Sequence, residues 1–336
     1  MRPFAYSRPT DWREAMQSAS VTADASVRAT TQFLAGGTTL LDLMKLDVMQ
    51  PTALVDIRKL AGDDLDRIVE RNGQLWIGSL VSMAEAARNA RIVRDYPVVA
   101  QSLSQAASAQ LRNMARLGGN VLQRTRCSYF RDTSFAECNK RTPGSGCSAK
   151  DGYNRLHAVL GTSDACIASY PGDFAQALIV LDARVATTGP FNGRAFAELH
   201  RRPASTPHIE TALVPGEIIT GFLLPQANWF RRSVYVKVRD RDSYVFANAS
   251  AAVALDMDGE TVREVRIGLG GVATVPWRAR NAELLLVGRP LTEDAAARAA
   301  AAALAGAMPY EHNRFKVPLS QATLMRALFE AKALVI

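Results

Sequence analysis

Leu34-Ala35-Gly36-Gly37-Thr38-Thr39-Leu40-Leu41 is the stretch from which the fold is read. A short apolar run, Phe33 to Ala35, leads into it, and Leu40, Leu41, Leu43, Met44 and Leu46 follow at spacings that line an amphipathic helix. The pattern is strand, glycine turn, helix. Glycine has no side chain to hold phosphate oxygens away, and backbone N–H groups at a helix start favour an anion. The run matches neither the G-x-G-x-x-G nor the Walker fingerprint, so alone it reads equally as a phosphate cradle or a tight turn. A second glycine turn, Gly118-Gly119-Asn120, follows Gln110-Leu111-Arg112-Asn113-Met114-Ala115-Arg116-Leu117. Two such turns point to one extended cofactor gripped from both sides.

Outward from the first turn, Pro51 stops the helix and Ala53 to Ile57 reads as the next strand, giving a strand-and-helix unit over residues 1–58. A second unit, 59–226, contains a strand at Leu75 to Ile77 and a helix opened by the capping box Ser82-Met83-Ala84-Glu85. A further helix is predicted from Val98 to Ala109. Regular periodicity breaks down from about 124 to 170, a length of structureless chain that is usually functional. The remainder, 228–336, alternates strand patterns at Val234 to Val238, Ala249 to Leu255 and Val262 to Leu269, with a hairpin at Asp258-Gly259. An alanine-rich helix capped by Thr292 follows, so a sheet with helices against one face is expected there.

The 336 residues exceed one hydrophobic core, and 48% hydrophobic with 21% charged content is that of a folded soluble chain. No tract approaches the ~18 apolar residues of a membrane span. Arg2, Pro3, Arg8, Asp11 and Arg13 stand where a secretory signal would need an apolar region, so export is expected only with a signal-bearing partner. From Arg112 to His157 there are nine Arg and Lys against three Asp and Glu. Aromatics do not alternate with them as on a base-stacking surface, so the charge suits a dinucleotide or an acidic partner better than nucleic acid.

Cys127, Cys138, Cys147 and Cys166 all lie in the irregular segment, with ten, eight and eighteen residues between successive members. A shared centre would offset the entropy of ordering that loop. Four thiolates suit zinc or a [4Fe-4S] cluster, but neither paired zinc knuckles nor ferredoxin spacing is present, and two disulfides fit as well. Arg124, Arg126, Lys140 and Arg141 are expected to favour thiolates and balance a cluster's charge. His157, His200, His208 and His312 form no ligand motif and read as structural or surface residues. A stand-alone flavin oxidase and a zinc-stabilised, non-redox scaffold are the rival readings.

Taken in order, the two glycine segments, Leu213-Val214-Pro215-Gly216-Glu217-Ile218-Ile219 and the stretch Tyr235 to Ala247 resemble the FAD-binding medium subunits of the xanthine dehydrogenase and molybdenum hydroxylase family. The cysteine-bearing segment, with Gln123 to Cys127 and Cys138 to Cys147, is similar to the FAD and [4Fe-4S] subunit of bacterial periplasmic aldehyde oxidoreductases. This resemblance implies an α+β fold of the vanillyl-alcohol oxidase and CO dehydrogenase flavoprotein type, with a C-terminal sheet-and-helix domain. It implies FAD held by Leu34, Ala35, Gly36, Gly37, Thr38, Thr39, Leu40, Arg112, Asn113, Arg116, Gly118, Asn120, Asp173, Ile218 and Lys237, and a cluster held by the four cysteines. Arg116 departs from the threonine usual in the family. The implied partners are a large subunit carrying molybdopterin cytosine dinucleotide and a small subunit with two [2Fe-2S] centres. The implied work is electron relay, with periplasmic localisation by co-export or, alternatively, a cytoplasmic one. No acid or base for the organic substrate is then needed in this chain.

Overall fold

A computed structural model describes residues 1–19, 28–60, 62 and 64–336. Among them, the strands form three sheets. The first is parallel and three-stranded, with Ala53–Asp56 between Ala5–Ser7 and Thr31–Leu34. Thr31–Leu34 runs into the glycine turn, and the helix beyond it, Leu40–Lys45, buries Leu43 and Met44. At the end of the central strand Asp56 is fully buried. Its carboxylate accepts from Arg58 and Tyr6, and these partners outweigh burial to hold it well below the usual carboxylate range.

The second sheet is antiparallel, with Gln74–Gly78 and Ile219–Leu224 at its centre. Its first hairpin, Ile68–Arg71 to Gln74–Gly78, turns on Asn72 (φ 49°) and Gly73 (φ 72°), the residue pair that a type I′ turn requires. Ser82 caps the helix Met83–Arg88 by accepting from the Glu85 N–H. The helix expected to reach Ala109 instead ends at Ser104, and Ala109–Met114 is a separate helix capped by Ser108. Ala107 adopts φ 47° between them, so the chain breaks there.

The third sheet carries the long hairpin Ala249–Asp258 and Thr261–Gly270, flanked by Ser233–Val238 and Trp277–Arg278. Gly259 alone takes positive φ in its two-residue loop, as a type II′ turn requires. The sheet was expected to carry helices on one face, and it is covered on both. Ala249, Ala251, Val253 and Leu255 face the core built with helices Glu293–Ala303 and Lys316–Lys332. The alternate residues Ala252 and Ala254, with Tyr235, join the core of the middle unit against Pro97–Ser104 and Phe174–Val180. Period-2 alternation thus feeds two cores from one strand. Gly268 permits the contact, since a Cβ there would meet Ile179 Cγ2 at 2.9 Å.

Lys316, at the start of the last helix, is fully buried with Nζ 2.6 Å from the Gly271 carbonyl. Burial, with Arg155 nearby, drives its pKa down to about 7. Between that value and the ~10.4 of an exposed lysine, the unfolded chain binds more protons than the folded one, so stability rises with pH through this window. Chemical denaturation from pH 7 to 10 is expected to show that rise, and Lys316→Met to flatten it. No helix among the described residues is long and apolar enough to cross a membrane.

Candidate functional site: a glycine-lined cleft beside a four-cysteine cavity

Where the first two sheets meet, a cleft of about 400 Å3 opens between the two glycine turns. Close packing fixes the turns. A Cβ on Gly36 would lie 2.2 Å from the Met114 carbonyl oxygen, and one on Gly118 would lie 2.9 Å from Ser79 Cβ. Gly119 is different: its Cβ position borders the cleft, with only Ala35 Cβ at 4.0 Å. The cleft's third side is the Leu213 to Ile219 segment. Glu217, buried, ties it down by accepting from the Phe191 N–H at 2.8 Å, the Val214 N–H at 3.0 Å and the Thr187 hydroxyl.

Of the residues singled out from sequence, Ala35, Gly36, Gly37, Thr38, Thr39, Leu40, Arg116, Gly118 and Ile218 line this cleft. Arg116 donates to the Leu80 carbonyl at 3.0 Å, which places its stem along the wall. The other six stand outside it. Leu34 turns into the core around the cysteines. Arg112 donates at 2.7 Å to the Ala106 carbonyl, fastening its own helix to the preceding turn, and Asn113 lies on that helix's exposed side. Asn120 is directed toward Met83 Sδ, 3.4 Å away. Asp173 and Lys237 form a buried ion pair at 2.7 Å between the middle unit and the third sheet, with Tyr235 donating to the same carboxylate at 2.6 Å. Cleft residues that the sequence reading did not single out include Glu210 and His208, whose Nδ1 is buried without a partner.

The irregular segment contains one short helix, Ser128–Arg131. Hydrogen bonds hold much of it. Asn154 Nδ2 donates to the Gly152 carbonyl at 3.1 Å, and Arg141 donates to the Tyr129 and Phe130 carbonyls. Arg126 and Arg131 both reach Asp42 on the first glycine-turn helix, at 2.9 and 2.8 Å. This brings Cys127, Cys138, Cys147 and Cys166 around one small enclosed cavity, with Cys138 and Cys147 bridged through their backbones. All four are free thiols, so the alternative of two disulfides does not describe this fold. No three His, Cys, Asp or Glu side chains among the described residues are close enough to hold a single metal ion.

At Cys127 and Cys166 burial outweighs the expected effect of the cations. Burial pushes Cys127 up to about 12 and Cys166 up to about 11, and Lys140 only partly opposes it at Cys166. The guanidiniums are engaged elsewhere, Arg126 with Asp42, Arg141 with carbonyls and Arg124 with Glu210 at 2.6 Å. Lys140 also pairs with Glu210, at 2.7 Å, and against burial the two cations hold that carboxyl below its usual range. Lys140, Cys166 and Ala168 border both cavities, so a single layer of residues separates them.

The histidines divide. His200 packs edge-on against Tyr170 and Phe196, its Nε2 2.9 Å from the Val121 carbonyl oxygen, and burial lowers its pKa to about 4. His157 is also buried and lowered to about 4, but its Nε2 lies 3.1 Å from Cys127 Sγ. No sequence spacing announces that contact, because thirty positions separate the two residues.

Residues 2–227 match the family described as the FAD binding domain in molybdopterin dehydrogenase, and residues 234–331 the CO dehydrogenase flavoprotein C-terminal domain. The chain is 44% identical to the aldehyde oxidoreductase FAD-binding subunit PaoB of Escherichia coli K12, covering 99% of each. It is 27% identical to the carbon monoxide dehydrogenase medium chain of Afipia carboxidovorans, covering 89% of this chain and 88% of that one. In fold it is similar to a chain of the reconstituted CO dehydrogenase from Oligotropha carboxidovorans, with a TM-score of 0.74 over 99% of each chain and 24% identity. The two glycine turns facing one cleft, and matches spanning both parts of the chain, establish that this protein belongs to the xanthine oxidase and molybdenum hydroxylase family as one of its FAD-binding medium subunits.

Proposed function

We propose that this chain is the FAD and [4Fe-4S] electron-transfer subunit of a heterotrimeric, molybdenum-dependent aldehyde oxidoreductase. The observation that carries the reading is the pairing of the two cavities across one layer of residues. The near-full-length likeness to an aldehyde oxidoreductase FAD-binding subunit supports the substrate class.

The chemistry of the residues present suits FAD in the cleft and supports a thiolate-bound centre beside it. In the cleft, Gly119 leaves open the space that a Cβ would fill, Gly37 and Thr38 supply a small-residue wall, and His208 Nδ1 is a buried polar atom awaiting a partner. Ala35 to Leu40, Arg116, Gly118, Gly119 and Ile218 would hold FAD, with Arg116 offering a cation toward the pyrophosphate. At the second cavity, four free thiols, three buried and Cys147 half-buried, are a soft donor set of the kind that binds iron–sulfur clusters. The raised pKa values of Cys127 and Cys166 mean that ligation there must displace protons.

When bound, FAD and a cluster supply electron storage and transfer, and the protein supplies position and electrostatics. Glu210, clasped by Arg124 and Lys140, fixes the cation nearest the shared wall, and buried Ala168 and Cys166 exclude water from it. The organic substrate would be oxidised on a large molybdenum subunit, with a small [2Fe-2S] subunit between the two.

Anaerobic purification with the partner subunits tests the proposal. FAD, molybdenum and iron beyond the small subunit's share are expected, whereas a zinc-containing, flavin-free chain would refute it. Cys138→Ser is expected to remove or destabilise this chain's cluster; unchanged iron content and unchanged electron paramagnetic resonance spectra would exclude Cys138 as a ligand.

A further inference from the structure

His157 stands behind the four-cysteine cavity rather than on its wall. Its Nε2 is 3.1 Å from Cys127 Sγ, with both residues buried. The backbone that carries the imidazole is held on both sides. The His157 backbone N–H donates to the Asn154 carbonyl at 3.0 Å, and the His157 backbone carbonyl accepts from Asn313 Nδ2 at 3.3 Å. Tyr129 packs beside the ring at 6.1 Å between centroids, and Nδ1 is buried. A position behind one sulfur, aimed at it and fixed by the C-terminal segment, is that of a group acting on a ligand.

We infer that His157 donates a hydrogen bond from Nε2 to the Cys127 sulfur when that sulfur ligates the cluster, and that it thereby raises the cluster's reduction potential. This rests on the cluster assignment proposed above. A ligating thiolate has no proton to give, so the shared hydrogen must come from the imidazole. Adding one electron increases the negative charge on the sulfurs, and a donor stabilises that state more than the oxidised one. His157 is therefore a positioning residue, coupling Asn313 and the last helix's approach to the redox centre.

The test uses the intact heterotrimer. His157→Leu removes the donor, and His157→Gln places an amide N–H near the same point. With full iron and labile sulfide, the Leu variant is expected to reduce about tenfold less favourably, about 59 mV more negative for a one-electron couple, while Gln stays near the wild type. Equal potentials in all three complexes would overturn the inference. A readout independent of variant folding is pulsed electron paramagnetic resonance of the reduced wild-type complex carrying 15N-histidine. Weak coupling to one histidine nitrogen is expected. No coupling, or the strong coupling of a directly bound nitrogen, would overturn the inference while leaving the cluster in place, whereas absence of the cluster's iron would overturn the subunit assignment as well.

Discussion

Replacing Gly119 by Leu is expected to strip FAD from a chain that stays folded. Gly119 lies within the helix Leu117–Val121 with ordinary negative φ, so a side chain costs no backbone strain. Non-glycine residues are favoured there by roughly 0.5–1 kcal/mol in helix propensity. The new side chain points into the cleft, where the nearest atom to its Cβ is 4.0 Å away. Occupying that space should weaken FAD binding by about 100-fold or more, ~2.7 kcal/mol. Flavin released from the purified complex and its thermal unfolding report the two effects separately. Full flavin occupancy in the Leu variant would show that the cofactor does not pass between the glycine turns. Gly36→Ala makes the contrast, because its Cβ would press on the Met114 carbonyl at 2.2 Å, so folding and flavin should fail together.

The second large effect is expected at the Asp173–Lys237 pair. Lys237 and Asp173 side chains are 1% and 5% exposed, and the contact joins the middle unit to the third sheet. Removing one partner from a buried pair leaves an uncompensated charge and costs about 3–5 kcal/mol. Asp173→Ala and Lys237→Met should each lower the unfolding midpoint of the complex by several degrees. The double variant should recover part of the loss, since no charge is left stranded. Neither side chain borders the cleft, so flavin per folded complex should be unchanged. Loss of flavin at unaltered stability would place these residues at the cofactor instead.

Much of this architecture was legible in the sequence because local chemistry carried it. Ser82 and Thr292 cap the helices that their positions announced, and Gly259 turns the long hairpin. The glycine turns were visible as motifs, but which residue opens to the cleft was not. Gly119 and Asn120 are adjacent, and only their helical phase turns one toward the cleft and the other toward Met83. The Asn72-Gly73 hairpin carries a plain local signal that the domain-level reading passed over. Long-range pairings carried no signal. Ala252 and Ala254 read as one side of a sheet, yet they pack on a different unit from Ala251 and Val253. The charge near the cysteines misled because counting cations ignores their partners: Asp42 and Glu210 take up Arg126, Arg131, Arg124 and Lys140.

Crystallography of the intact complex, with data collected at the iron absorption edge, tests the central claim most directly. Two redox groups in adjoining cavities of one chain predict FAD density running between Gly37 and Gly119, and an iron peak enclosed by Cys127, Cys138, Cys147 and Cys166. A cleft without flavin, or four sulfurs around zinc or around nothing, would contradict it.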